Sequence, residues 1–469
     1  MGNIIKKLGA FSIGPIAAAF LGFLTVPLIT YFITPEEYGK ASMFTLAQGI
    51  ASMLVYFGLD QAFVREFHVY KDKLNALLSN AIFVPLFFVS VLGIIIIINA
   101  NWMSRILFDS SNEKIAVYML SIMLPFMVIE NFAFLTIRMN EKGLQYSLST
   151  ISLKVLVLII TVLLFFVYER SFRSVVYAMA IAEIVNGIIL FFAVIYPQKI
   201  SLYYLDKDLI KGMLKFGLPL VPAMMMSWIL ASMDKVMLRI MCGYGDLGLY
   251  TAAYKIVSAV GIVQSCFTIF WTPVAYRWHE ENVKKDSFEA VNMLVAVGMS
   301  VICLILLLVK NLVGIVLGDD FIQAIQIFPF LLLYPVMYTM SETTAVGIGF
   351  SRKTHYSIIV SGVSGIVNIF LNYILIPLGG GIGAAVATGI AFVIFFWTRT
   401  MLSRKVWWNF PIGIYFVVTI ILTANCYVHT FIKGYSPYIV SISSVVILII
   451  IYYKPMKSIV KKLKSFENV

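Results

Sequence analysis

Fourteen apolar runs of about 20–30 residues follow one another along the chain, at 8–32, 38–64, 76–100, 115–137, 145–168, 174–196, 212–241, 247–274, 288–310, 322–350, 355–377, 381–402, 412–432 and 437–453. A helix rises about 1.5 Å per residue, so a run of that length crosses a hydrocarbon core about 30 Å thick. Inside a bilayer the backbone must satisfy its own polar groups, and a helix does so within one segment. The 469 residues are 61% hydrophobic and 12% charged, against about 25% charged for soluble domains. No polar break exceeds about fifteen residues, which leaves no room for a soluble catalytic domain. The expectation is an all-α membrane protein of about 14 transmembrane helices, and not an enzyme. The first run follows Lys6 and Lys7 as a signal peptide would, but it is too long, holds Pro15 and Pro27, and is read as the first spanning helix.

Basic residues set the orientation. With the N-terminus inside and the runs alternating, 24 Lys and Arg fall on inner segments and 7 on outer ones, leaving Lys154, Lys235, Arg239 and Lys255 inside runs. This bias predicts cytoplasmic N- and C-termini. It also absorbs the net charge of +12. The excess faces anionic lipid of the inner leaflet, so membrane lipids are the expected partners and no nucleic acid is needed. Cys242, Cys266, Cys303 and Cys426 form no CxxC, and the four histidines lack ligand spacing, so no metal site is expected. Two segments, 206–216 and 454–466, carry lysines on one side and apolar residues on the other. They read as helices lying in the inner interface, with a solvated basic tail as the alternative for the second.

A weak internal repeat aligns PEEYGKASMF (35–44) with YGDLGLYTAA (244–253), each following a proline-containing run. Parallel repeats of this kind predict two six-helix lobes around a central cavity, 1–200 and 201–405, with two extra helices and a basic tail over 406–469. Runs thirteen and fourteen hold no charged residue and are expected to be peripheral.

NIFLNYILIPLGGGIGAAVATGIAF (368–392) resembles the Asn-rich, IP, G, GAA and AT pattern of polysaccharide flippases in the multidrug/oligosaccharidyl-lipid/polysaccharide exporter superfamily. TPEEYGKASMF, FGLDQAFVREF, KFGLPLVPAMM, MDKVMLRI and GLYTAAYKI resemble the same family in order, over about residues 5–402. The GGGIGA letters also match a dinucleotide fingerprint, but no soluble βαβ unit surrounds them. Small residues from Gly383 to Ala387 suit close helix packing. Asn368 and Asn372 share a helix face and either bond between helices or meet sugar hydroxyls.

The resemblance implies a transporter that flips an undecaprenyl-diphosphate-linked oligosaccharide from inner to outer leaflet of the bacterial cytoplasmic membrane. Alternating access would carry it, for O-antigen, capsule or teichoic-type glycans, beside polysaccharide polymerase machinery. The alternative is a drug/cation antiporter of the same superfamily. Charges at membrane depth are costly and mark function by default, by about 2.5–3.5 kcal/mol each on insertion scales. Trp228, Ser232, Lys235 and Arg239 form one stripe, from which Asp234 is rotated by about 100°. An Asp234–Lys255 ion pair is expected, leaving Lys235 for ligand. Lys154 and Glu183 lie on adjacent runs as a possible pair, while Glu130 and Glu342 lie in the inner half. Arg65, Arg138, Arg277 and Arg399 sit near inner ends, where topology-setting or headgroup contact competes with substrate binding. The substrate set is thus Lys235, Lys255, Lys154, Arg65, Arg138, Arg277 and Trp228; the ion-coupling set is Asp234, Glu183, Glu130 and Glu342. No cofactor is expected beyond H⁺ or Na⁺. Moving about two negative charges outward across 100 mV releases about 4–5 kcal/mol. Lysines that travel with the diphosphate cancel that gain, and the carboxylates then have to couple an ion.

Overall fold

The computed structural model describes residues 2–351, 353 and 355–466. Arg352 and the side chains from 454 onward, which include the lysines of the amphipathic tail, lie outside the described residues. Every regular element among them is a helix. The chain divides into two compact units, 1–228 and 229–469.

The first unit begins with α1 (Gly2–Phe32), α2 (Pro35–Tyr56) and α3 (Leu59–Glu66). Thr34 caps α2 and Pro35 stands at its first position, where a missing N–H costs nothing. Phe57 and Gly58 are both left-handed, with φ of 48° and 72°, and this ends α2 and bends α3 away by 53°. A long α4 (Leu74–Ile98) and short α5 (Ala100–Phe108) follow. Then come α6 (Lys114–Met139), α7 (Gly143–Val167) and α8 (Phe172–Leu190). The amphipathic α9 (Lys207–Gly217) buries Met213 and places Phe216 under Arg65, whose guanidinium lies 4.5 Å from the ring centre. A Cβ on Gly217 would lie 2.7 Å from the Gly58 backbone, so α9 docks backbone-to-backbone at the break between α2 and α3. The next helix, α10 (Val221–Met241), leads into the second unit.

The second unit repeats this order. α11 (Tyr244–Ser258) and α12 (Val260–Glu280) form a pair bent by 41°, with Ser258 Oγ donating to the Lys255 carbonyl at 2.6 Å beside the bend. Long α13 (Lys285–Leu308) precedes short α14 (Asn311–Leu317). α15 (Ala324–Leu331), α16 (Leu333–Thr344) and α17 (Val346–Phe350) lead to α18 (His355–Val406). Gly379 and Gly380 break α18 in two; Gly380, at φ 51° and ψ −129°, holds a conformation that only glycine adopts readily.

The two short motifs of the sequence repeat occupy matching places. Glu37 Oε2 accepts the Phe172 N–H, capping α8, at 2.6 Å. Asp246 Oδ1 accepts the Gly381 N–H, capping the second half of α18, at 2.7 Å. Glu37 and Asp246 are the aligned positions, and each carboxylate meets a helix N-terminus, where negative charge is favoured.

Helices α19 (Gly413–Phe431) and α20 (Ser436–Phe466) close the chain. Gly413–Phe431 and Ser436–Tyr453 hold no Asp, Glu, Lys or Arg, yet the two helices share a buried polar seam. Asn425 Nδ2 donates to Ser444 Oγ, Ser441 Oγ donates to Asn425 Oδ1, and Ser441 Oγ bonds His429 Nε2, all at 2.8 Å.

Eleven helices among the described residues are long and apolar enough to span a membrane, and thirteen if each bent pair counts as one. The expected fourteen lies one above that range; α18 is counted once there, although its glycines break it.

Candidate functional site

Each unit holds a cluster of polar groups among apolar helices. In the first unit, α6 presents Glu130, Asn131 and Arg138, α7 presents Ser152 and Lys154, and α8 presents Glu183 and Asn186. Glu130 and Glu183 are 5% and 9% exposed, and their carboxyl groups lie close enough to act on each other. Two buried carboxyl groups side by side disfavour each other's charged form. Ser152 Oγ donates to Asn186 Oδ1 at 2.8 Å, which aims the Asn186 amide at Glu130. That approach stops short of a well-formed bond: Glu130 Oε2 and Asn186 Nδ2 are both buried without a partner, as is Asn131 Nδ2. The cluster is therefore under-satisfied, a state that buried polar groups rarely keep without a function. Beside it a cleft of about 220 Å³ opens between α6 and α7, lined by Asn131, Arg138, Tyr146, Thr150 and Lys154. Lys154 bears electrostatically on Glu130 and Glu183. Its side chain leaves the exposed side of α7 and, among the described residues, makes no direct ion pair, so the expected Lys154–Glu183 pair gives way to a pair of carboxyls.

In the second unit, Asp234 on α10 is 3% exposed, and the hydrogen bonds it accepts come from Tyr250 and the Lys235 backbone, where Lys255 was expected. Asp234 Oδ2 accepts the Tyr250 hydroxyl, and its Oδ1 accepts the Lys235 N–H at 2.8 Å. Tyr250 Oη lies 3.1 Å from Thr388 Oγ1, which Asn368 Nδ2 approaches at 3.4 Å. Asn372 Nδ2 then donates to Asn368 Oδ1 at 3.0 Å. The chain of bonds thus crosses from α10 through α11 to both halves of α18, and it ends on Asn372 Oδ1, which is buried without a partner. The Lys235 ammonium lies 4.6 Å from the Tyr254 ring centre. Tyr254 stacks on Tyr250 and Tyr334.

Glu342 is bound by Arg399, Nη1 to Oε1 at 2.5 Å, and Arg399 also donates to Ser341 Oγ at 2.8 Å between the rings of Tyr338 and Phe395. Arg65, Arg277 and Lys255 are exposed, and Trp228 is half-buried. Arg239 lies 3.9 Å from the Tyr244 ring centre at the end of α10.

The profile of the family described as polysaccharide biosynthesis protein matches residues 4–279. The chain belongs to that family. Among solved structures, a lipid II flippase, MurJ, in an inward closed conformation is 17% identical, covering 95% of this chain and 99% of that one with a TM-score of 0.65. An inward-facing multidrug resistance MATE transporter of the MOP superfamily is 14% identical, covering 82% and 94%, with a TM-score of 0.61. The Vibrio cholerae MATE transporter VcmN is 13% identical, covering 84% and 97%, with a TM-score of 0.57. At these identities the likeness shows the fold. No curated protein matches the sequence.

For this member of the family, sequence reasoning found the charged groups at depth but missed Ser152, Asn186, Tyr250, Tyr254 and Thr388. The one available signal was Tyr250 and Tyr254, four residues apart and so on one face of α11.

Proposed function

We propose that the protein moves an undecaprenyl-diphosphate-linked oligosaccharide from the inner to the outer leaflet of the bacterial cytoplasmic membrane by alternating access, for cell-surface polysaccharide synthesis. The observation that supports it most is the cleft of the first unit. Arg138 and Lys154 line one side-chain-sized space with Asn131, Thr150 and Tyr146, and among the described residues no carboxylate lines it. A guanidinium and an ammonium suit the two charges of a diphosphate, with the guanidinium able to grip two oxygens at once. Membership of the polysaccharide biosynthesis family agrees with a glycan cargo. Lys235, with its ammonium on Tyr254, is the matching cation of the second unit. Glu130 with Glu183, next to the cleft, is the reading for H⁺ coupling, and the Asp234 chain for H⁺ or Na⁺. Both termini are cytoplasmic in this reading, on the bias of basic residues, and a polysaccharide polymerase takes up the product.

The test is transport in proteoliposomes with a fluorescent diphosphate-linked oligosaccharide. Lys154→Met and Arg138→Gln should each lower the rate at least tenfold, about 1.4 kcal/mol, while protein yield and elution profile stay unchanged. Full transport by both variants rejects the cleft as the phosphate site. Uptake of an organic cation in place of the glycan lipid supports the drug/cation antiporter instead.

A further inference from the structure

A second cleft, of about 350 Å³, lies in the second unit where the α13–α14 junction, the start of α15 and the α19–α20 turn meet. Its size falls at the lower end of small-ligand sites, about 300–1,000 Å³, which suits a compact group and not a long chain. Two ammonium groups line it, Lys310 and Lys433, and among the described residues no carboxylate does. Lys310 donates to the His429 carbonyl, and burial lowers its affinity for the proton. An anion beside it would offset that cost. The amides of Asn311, Gln323 and Gln326 supply groups that donate and accept at once, as hydroxyls require.

Two polar atoms of lining residues are buried and unsatisfied. Thr430 Oγ1 has no partner. His429 Nδ1 faces Pro437 without a well-formed bond. The wall behind them is fixed: His429 Nε2 bonds Ser441 Oγ at 2.8 Å, and Asn311 Nδ2 donates to Tyr438 Oη at 2.9 Å. Cations and neutral donor–acceptors thus line one recess whose back wall is hydrogen-bonded.

We propose that this cleft binds an anionic polyol group, a saccharide or glycerol unit that carries a carboxylate or phosphate. The group can come from a glycan or from a glycerophospholipid headgroup, and one experiment separates them. The full chain is purified into phosphatidylcholine nanodiscs. Binding of a glucuronic-acid-containing disaccharide is compared with binding of its neutral glucose analogue. The acidic probe should bind about tenfold tighter. Lys433→Gln and Gln326→Leu should each weaken it about fivefold or more at unchanged melting temperature. Lys310 is left intact because it also ties α14 to α19. If phosphatidylglycerol in the nanodisc competes with the acidic probe, the lipid headgroup is the occupant; if it does not, the glycan is. Equal binding of the two disaccharides, no binding of either, or unchanged binding by both variants overturns the proposal. The readout is binding, so it stands or falls apart from transport.

Discussion

Tyr250→Phe removes one hydroxyl and nothing else. The ring remains to stack on Tyr254, 6.3 Å away between centres. Asp234 Oδ2 loses its donor and keeps only the Lys235 N–H on its other oxygen. A hydrogen bond to a charged group contributes about 1.5–3 kcal/mol, and stranding a buried acceptor puts the cost at the upper end, about 2–3 kcal/mol. Asp234→Asn should cost less, about 1 kcal/mol, because the amide oxygen still accepts from Tyr250. In the double variant Tyr250→Phe, Asp234→Asn no buried charge is left stranded. Its cost should fall short of the sum by about 1–2 kcal/mol. Lys255→Met, at an exposed position on α11, should combine additively with Asp234→Asn. The assay is the melting midpoint of full-length protein in detergent, read by fluorescence-detected gel filtration. Tyr250→Phe melting with the parent, or a strictly additive double variant, would refute the bond. Coupling between Lys255→Met and Asp234→Asn would restore the ion pair that charge alone suggested.

Other outcomes are as specific. Gly380→Ala forces a side chain onto φ 51° and sets its Cβ 2.2 Å from Asp246 Oδ1, so expression of folded protein should collapse, whereas Gly379→Ala, with open space around it, should be milder. Gly217→Ala should lower the melting midpoint by prising α9 from the Gly58 backbone, at a cost of about 1–3 kcal/mol for overpacking; a midpoint equal to the parent's means that the two segments do not touch. Glu130→Gln places a donor beside Glu183, so stability should hold within about 1 kcal/mol while coupling to a proton gradient is lost; transport that still responds to the gradient excludes this pair as the coupling site. In a cysteine-free background, Cys placed at the exposed Asn282 and Lys405 should label only from the cytoplasm, and Cys at the exposed Asn112 only from outside. Labelling of all three from one side overturns the orientation.

The spanning elements were legible because insertion depends on properties local to a segment: apolar content, length and flanking charge. The break in α18 is local too, since it falls at residues 378–380 between two apolar runs. The aligned motifs around Glu37 and Asp246 pointed to a repeat, and their matching caps depend on just that alignment. The partners of buried charges were not legible. Lys255 drew Asp234 on paper by sign and depth, but it stands five residues beyond Tyr250, about 140° further round α11, and Tyr250 takes the carboxylate. Glu183 drew Lys154 by the same logic, and the fold sets it against another carboxyl. The cleft that holds Lys310 and His429 gathers three segments more than a hundred residues apart at the extremes, which no spacing rule connects. Sequence by itself determined that this chain is a bundle of membrane helices in a particular register of apolar runs, since each run answers to the bilayer alone. Only the tertiary structure decided which face of each helix meets which neighbour, because that depends on the rotation of every helix about its axis, and a turn of 100° per residue exchanges one partner for another.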